Sequence, residues 1–145
     1  MELIVKRFQE LTTRELFEIY KLRSCVFVAE QNSAYQDVDD ADLGAIHVWF
    51  QDENSIQAYL RVLDKGISFP EASLGRIIAV KRGCGLGAKI VKEGIRIAED
   101  SFQANAIRIE AQTYAKGFYE KLGFVQISEE FLDAGIPHIQ MLRQK

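Results

Sequence analysis

Arg82-Gly83-Cys84-Gly85-Leu86-Gly87-Ala88 lies between a strand-like run, Leu74 to Val80, and a helix-like run, Ala88 to Phe102. Glycine lets the backbone come close to a ligand, because no Cβ stands in the way. The N–H groups of this loop and of the first helical turn would form a concave donor array, with the positive end of the helix dipole behind it. Lys81 and Arg82 add formal positive charge. The stretch therefore predicts a strand–loop–helix unit that receives a phosphate or pyrophosphate, and the ligand reads as nucleotide-like.

Toward the C-terminus the pattern continues as a strand, Ala106 to Ala111, and a short helix, Tyr114 to Leu122. Gly123 suits the left-handed residue that closes such a helix. Another strand starts at Phe124, a turn-rich excursion runs from Phe131 to Gly135, a last strand covers Ile136 to Leu142, and Phe102, Phe118 and Phe124 read as core. Toward the N-terminus, Ile46 to Phe50 and Ile56 to Leu63 read as strands joined through the turn Asp52-Glu53-Asn54-Ser55. Residues 30–44 form a polar, acidic loop of a length that points to function. Thr12-Thr13-Arg14-Glu15 fits a capping box. The helix it opens places Leu16, Ile19, Tyr20, Cys25, Phe27 and Val28 on a buried face. Leu3 and Val5 mark a first strand. The order is β-α-β-β-β-α-β-α-β-β, with no internal repeat or linker, so residues 1–145 form one domain.

The chain has 145 residues, 48% hydrophobic and 27% charged, enough for one real core. A net charge of −3 gives no basic footprint for nucleic acid. Cys25 and Cys84 make neither a disulfide framework nor a metal site. Cys84 reads either as a small turn residue or as an exposed thiol in an electropositive setting. The N-terminal residues do not form a signal peptide and no run reaches membrane-spanning length, so a cytoplasmic protein without membrane partners is expected.

Gly83-x-Gly85-x-x-Ala88 also satisfies a dinucleotide pattern, with Glu110 near the place of a ribose-binding acid. That fold needs repeated parallel βαβ units, and the N-terminal half reads as mostly antiparallel. A P-loop is excluded, because no Gly-Lys-Ser/Thr follows the glycines.

The arrangement resembles the GNAT family of acetyl-CoA-dependent acyltransferases. Arg82-Gly83-Cys84-Gly85-Leu86-Gly87 is similar to that family's pyrophosphate loop, and Phe118-Tyr119-Glu120-Lys121-Leu122-Gly123-Phe124 to its late Y-E-K-x-G-F motif. Leu22-Arg23, Val26-Phe27-Val28-x-Glu30-Gln31, Tyr35-Gln36-x-x-Asp39, Leu74-Gly75-Arg76 and Gly135-Ile136-Pro137-His138-Ile139 resemble the ElaA-like branch. The resemblance implies an α/β (α+β) domain around a mixed, mostly antiparallel, twisted sheet of six to seven strands flanked by helices. Two stretches depart from the family pattern. Only Lys81 separates Val80 from Arg82, which would bring the strand's end back to about Ile78. Gln112-Thr113 stand where many members carry Asn.

The resemblance implies acetyl-CoA as cofactor and a small-molecule or peptide amine as acceptor. Ile78, Ala79 and Val80 would meet the pantetheine arm, Arg82, Gly83, Cys84, Gly85, Leu86, Gly87 and Ala88 the pyrophosphate, and Gln112 and Tyr119 also the cofactor. Tyr119 would be the acid toward the leaving thiolate, since a phenol can donate a proton to it. Glu30 and His138 are candidate bases beside Glu110 and His47. Arg23, Gln31, Tyr35, Gln36, Asp39, His47 and Arg76 are candidate substrate residues. Asp37, Asp39, Asp40 and Asp42 read either as an attractor for a cationic amine or as a solvated loop, and Arg23 and Arg61 either as carboxylate binders or as partners of nearby acids. A non-catalytic acetyl-CoA-binding module of the same fold is the alternative. A homodimer through the C-terminal strands is compatible with so small a sheet protein.

Overall fold

Thr12 opens the first helix as the capping box requires. Its hydroxyl accepts from the Glu15 N–H at 3.0 Å, and the Glu15 carboxylate accepts from the Thr12 N–H at 2.8 Å. The structure, a computed structural model, describes residues 1–31, 36–53 and 55–145. In chain order it runs β1 (Glu2–Arg7), α1 (Thr13–Ser24), a π-helical turn (Cys25–Glu30), α2 (Ala41–Gly44), β2 (Ile46–Gln51), β3 (Ile56–Leu63), β4 (Ala72–Ala79), α3 (Leu86–Phe102), β5 (Ala106–Gln112), a 3₁₀ turn (Thr113–Ala115), α4 (Lys116–Glu120), β6 (Val125–Gln126), β7 (Phe131–Asp133) and β8 (Ile136–Gln144).

Among the described residues the strands make one sheet, in the order β1-β2-β3-β4-β5-β8-β6, with β7 also on β8. β4 and β5 are parallel, and the other pairs are antiparallel. One parallel pair does not make a doubly wound dinucleotide fold. The turn-rich excursion after Phe131 contains the extra short strand β7. β4 ends at Ala79, one residue beyond the expected Ile78.

α3 packs its apolar stripe (Leu86, Ile90, Val91, Ile97, Ala98) on β3 and β4, forming the main core with Val48, Leu60 and Leu74. Gly94 faces Leu60 of β3 and Leu74 of β4. A Cβ there would lie 2.8 Å from Leu60 Cδ2 and 3.2 Å from Leu74 Cδ2. Both leucines are buried and cannot step aside. Gly94→Ala is expected to lower stability by about 1–2 kcal/mol in urea titrations, because overpacking outweighs the gain in helix propensity.

Two core assignments from the sequence are corrected. Cys25 is exposed, because helix α1 passes into a π-helical turn at that residue and the face it occupied in a regular helix rotates outward. Phe118 is 37% exposed, its ring tip 3.5 Å from where a Cβ on Gly87 would lie, whereas Phe102 and Phe124 are buried as expected.

Candidate active site

β4 pairs with β5 at only two positions, Ala72 with Ile107 and Ser73 with Arg108. β5 then stays on β8 as far as Gln112, and β4 stays on β3 as far as Ala79. The two parallel strands therefore part, and a cleft of about 230 Å³ opens between them. A bulge in β4 accompanies the parting: Arg76 and Ile77 together lie opposite Leu60, between the pairs Gly75–Arg61 and Ile78–Tyr59. A bulge bends and twists its strand. Arg76 sits at φ 53°, a left-handed conformation that costs a non-glycine residue about 1–3 kcal/mol. Its side chain helps to hold it there, donating from Nε to Asp37 Oδ1 at 3.1 Å and from Nη2 to the Asp37 carbonyl at 2.9 Å. Among the described residues the ladder between β4 and β5 stops at Ser73, and an extended ligand arm can add to a strand edge of this kind.

The strand runs directly into the glycine loop. Val80 is 48% exposed, with its N–H held by the Gln57 carbonyl at 2.9 Å. Gly83 and Gly85 have φ of 79° and 78°, a backbone that only glycine adopts without strain. Gly85 is the N-cap of α3, and among the described residues no side chain caps that helix. The first-turn N–H groups are thus available to an anion at the positive end of a 17-residue helix. Cys84 is exposed, its Sγ 3.5 Å from the Lys81 carbonyl. Leu86 is buried and Ala88 half-buried, anchoring the loop.

Tyr119 stands on α4 in the cleft wall, 9% exposed. Its ring packs edge-on against Phe118 at 5.0 Å and Phe124 at 5.8 Å. Burial pushes its phenol well above the usual value, and Tyr114 adds to the rise. The group is therefore a protonated donor at every ordinary pH.

Gln31, Arg76, Gln112 and His138 also line the cleft. His138 donates from Nδ1 to the Ile136 carbonyl at 2.7 Å, which leaves Nε2 as its basic nitrogen, and it stacks on Phe131. Glu110 lies in the same wall. Desolvation by that wall raises its carboxyl above the usual value, and the charge of Asp133 adds to the shift. Gln36 is exposed, bonded to the Val38 carbonyl at 3.2 Å. Glu30 is exposed at the end of the π-helical turn, in contact with Cys25 Sγ and outside the cleft wall. Tyr35 lies outside the described residues.

Arg23 and His47 are not on the substrate face. Both are 0% exposed, inside a charge cluster beneath the cleft. Arg23 donates from Nε to Asp37 Oδ2 at 3.0 Å, and from Nη1 to Asp42 Oδ1 at 2.7 Å. Arg61 donates from Nη1 to Asp39 at 2.6 Å and to Asp42 at 3.0 Å. His47 Nε2–H donates to the Asp42 carbonyl at 3.0 Å, so Nδ1 is the acceptor for the Tyr59 hydroxyl at 2.7 Å. Desolvation lowers the pKa of His47 and keeps it neutral. Asp37 and Asp42 are thus neither an attractor nor a solvated loop but the counterions of buried arginines, Asp39 is half-buried between Arg61 and Arg76, and Asp40 alone is solvated. The sequence reading missed Ser73, Tyr114 and Asp133, which also line the cleft. The alternation of Arg108, Glu110 and Gln112 along β5 was the one available signal that this strand has a polar face.

A family profile described as "Acetyltransferase (GNAT) domain" matches residues 26–145. Protein ElaA of Escherichia coli is 32% identical over 141 residues, covering 93% of this chain and 91% of that protein. The crystal structure of Escherichia coli ElaA matches with a TM-score of 0.92 at 28% identity over 99% of each chain. That of an acyl-CoA N-acyltransferase from Pseudomonas aeruginosa matches with a TM-score of 0.92 at 32% identity, again over 99% of each.

Proposed function

The chain belongs to the GNAT acetyltransferase family, and from that premise we propose that it moves an acetyl group from acetyl-CoA to a primary amine by direct attack in a ternary complex. The parting of β4 from β5 beside a glycine-opened helix carries this reading, because it sets an open strand edge and an anion site along one continuous strand–loop–helix run. Ile78, Ala79 and Val80 would meet the pantetheine arm, residues 82–88 the pyrophosphate, and Gln112 the cofactor from the far wall. Bound acetyl-CoA supplies the activated acyl thioester.

Tyr119 donates its hydroxyl hydrogen to the departing sulfur. A phenol whose pKa is raised stays protonated throughout, and its hydrogen bond stabilises the negative charge that builds on the departing sulfur. His138 Nε2 and the Glu110 carboxylate are the groups in the cleft wall suited to take the amine proton. Glu30 is exposed and outside the cleft wall, so it is given no step here.

Acetyl-CoA and CoA at about 100 times their dissociation constants are expected to stabilise the protein by about 2.7 kcal/mol in thermal unfolding, with no shift from NADH. A shift with NADH alone would sink the acyltransferase reading.

A further inference from the structure

The Arg61 guanidinium is 4% exposed, and its Nε–H has no acceptor among the described residues. Its Nη groups are committed to Asp39 and Asp42. An unpaired buried donor costs about 1–3 kcal/mol, so it is a place where a ligand oxygen gains by binding. The donor borders the cleft.

A gap in the sheet lies beside it. Arg61 on β3 pairs with Gly75 on β4, and Gly75 is level with Glu110 on β5, two residues along from the Ser73–Arg108 pair. The three positions form one row on one face, and the middle one has no side chain. A Cβ on Gly75 would lie 3.8 Å from Arg61 Nε. The row is thus a slot with a hydrogen-bond donor at one end and a carboxylate at the other. The Arg61–Gly75 pair fixes the donor end, and the parting of β4 from β5 sets Glu110 beyond an ordinary strand spacing from Gly75, which leaves room between the two ends for a stretch of main chain.

We propose that the acceptor is an aminoacyl amine with a neutral carbonyl, a peptide N-terminus or an amino amide, whose carbonyl oxygen accepts from Arg61 Nε and whose amine is held by Glu110. This rests on the acyltransferase reading and names its acceptor class. Charge decides against a free amino acid. Arg23, Arg61 and Arg76 are matched one for one by Asp37, Asp39 and Asp42, so the donor end is net neutral and cannot offset a carboxylate. Glu110 and Asp133 repel one at the other end. A plain alkylamine leaves the Arg61 donor unpaired.

Phenylalaninamide, phenylalanine and phenethylamine, titrated calorimetrically into the CoA-saturated protein, test this. The amide is expected to bind at least tenfold tighter than either of the others. Gly75→Val, which fills the slot, should erase that preference while melting temperature and CoA affinity stay put; Gly75→Ala serves if valine costs stability. Equal binding of the acid or of the plain amine overturns the proposal. So does binding by none of the three, which leaves the acyltransferase reading standing. Failure of CoA itself to bind removes both.

Discussion

Tyr119→Phe is expected to lower kcat for CoA release by about 10²–10³-fold, while the dissociation constant for acetyl-CoA and the melting temperature stay close to wild type. The substitution removes one oxygen and keeps the ring, so the edge-on contacts with Phe118 and Phe124 survive. What is lost is the single donor the reading aims at the leaving sulfur. A factor of 10²–10³ corresponds to about 2.7–4 kcal/mol of barrier, a reasonable return for one hydroxyl in a water-poor wall. Because the phenol's pKa is raised, its ionisation should give no limb to the rate profile below pH 10. Any limb at lower pH belongs to the base side, where the raised carboxyl of Glu110 stands. An unchanged kcat would remove Tyr119 from the chemistry and leave it as packing. A wild-type protein that binds acetyl-CoA but turns over no amine would instead favour the non-catalytic alternative.

The glycine loop and the Y-E-K-x-G-F stretch were legible because their chemistry is local. A loop between a strand and a helix can be read from a few consecutive residues, and the capping box at Thr12 is a four-residue signal. Two other features were not legible, for a common physical reason. The bulge at Arg76 depends on a left-handed residue that is not glycine, which no local preference announces. It is stabilised by Asp37, thirty-nine positions away. Likewise Asp42 meets Arg23 and Arg61 each across nineteen positions, and without those partners a run of aspartates reads as a solvated turn. The exposure of Cys25 has a different origin: a change of helical period within one element shifts every later residue's face. The residues proposed to hold the cofactor thus lie in local motifs, whereas the charged residues around the other side of the cleft are assembled by long-range pairing.

That assembly predicts the largest effect on stability. Asp42→Asn is expected to cost about 3–5 kcal/mol, a fall in melting temperature on the order of 10 °C, because it leaves an uncompensated buried guanidinium charge. Asp42 is 1% exposed and binds both Arg23 and Arg61; without its charge, three arginines face two aspartates, 3 − 2 = 1. Asp40→Asn, on an exposed residue of the same segment, should change stability by no more than about 0.5 kcal/mol. The same cluster fixes the sign of the pH response. Desolvation opposes ionisation of Asp42, but hydrogen bonds and charge from Arg23 and Arg61 win and hold its carboxyl below the usual range, and Asp39 is lowered in the same way. A depressed carboxylate contributes stability that is complete above its unfolded pKa and lost as pH falls through the folded one. His47, also lowered, adds an earlier arm: below about pH 6.5 the unfolded chain takes a proton that the buried imidazole refuses. Tyr20, pushed up to about 12, mainly by burial, works at the other end, where its contribution is lost above about pH 10 as the unfolded phenol ionises. Denaturant titrations from pH 8 down should therefore show wild-type stability falling first near pH 6.5 and more steeply below pH 4. Asp42→Asn should keep the first arm, because His47 bonds the backbone carbonyl of residue 42 and not its carboxylate, and should lose part of the second. A variant as stable as wild type at neutral pH, or an acid arm unchanged by the substitution, would mean that Asp42 is not what holds the two arginines beneath the cleft.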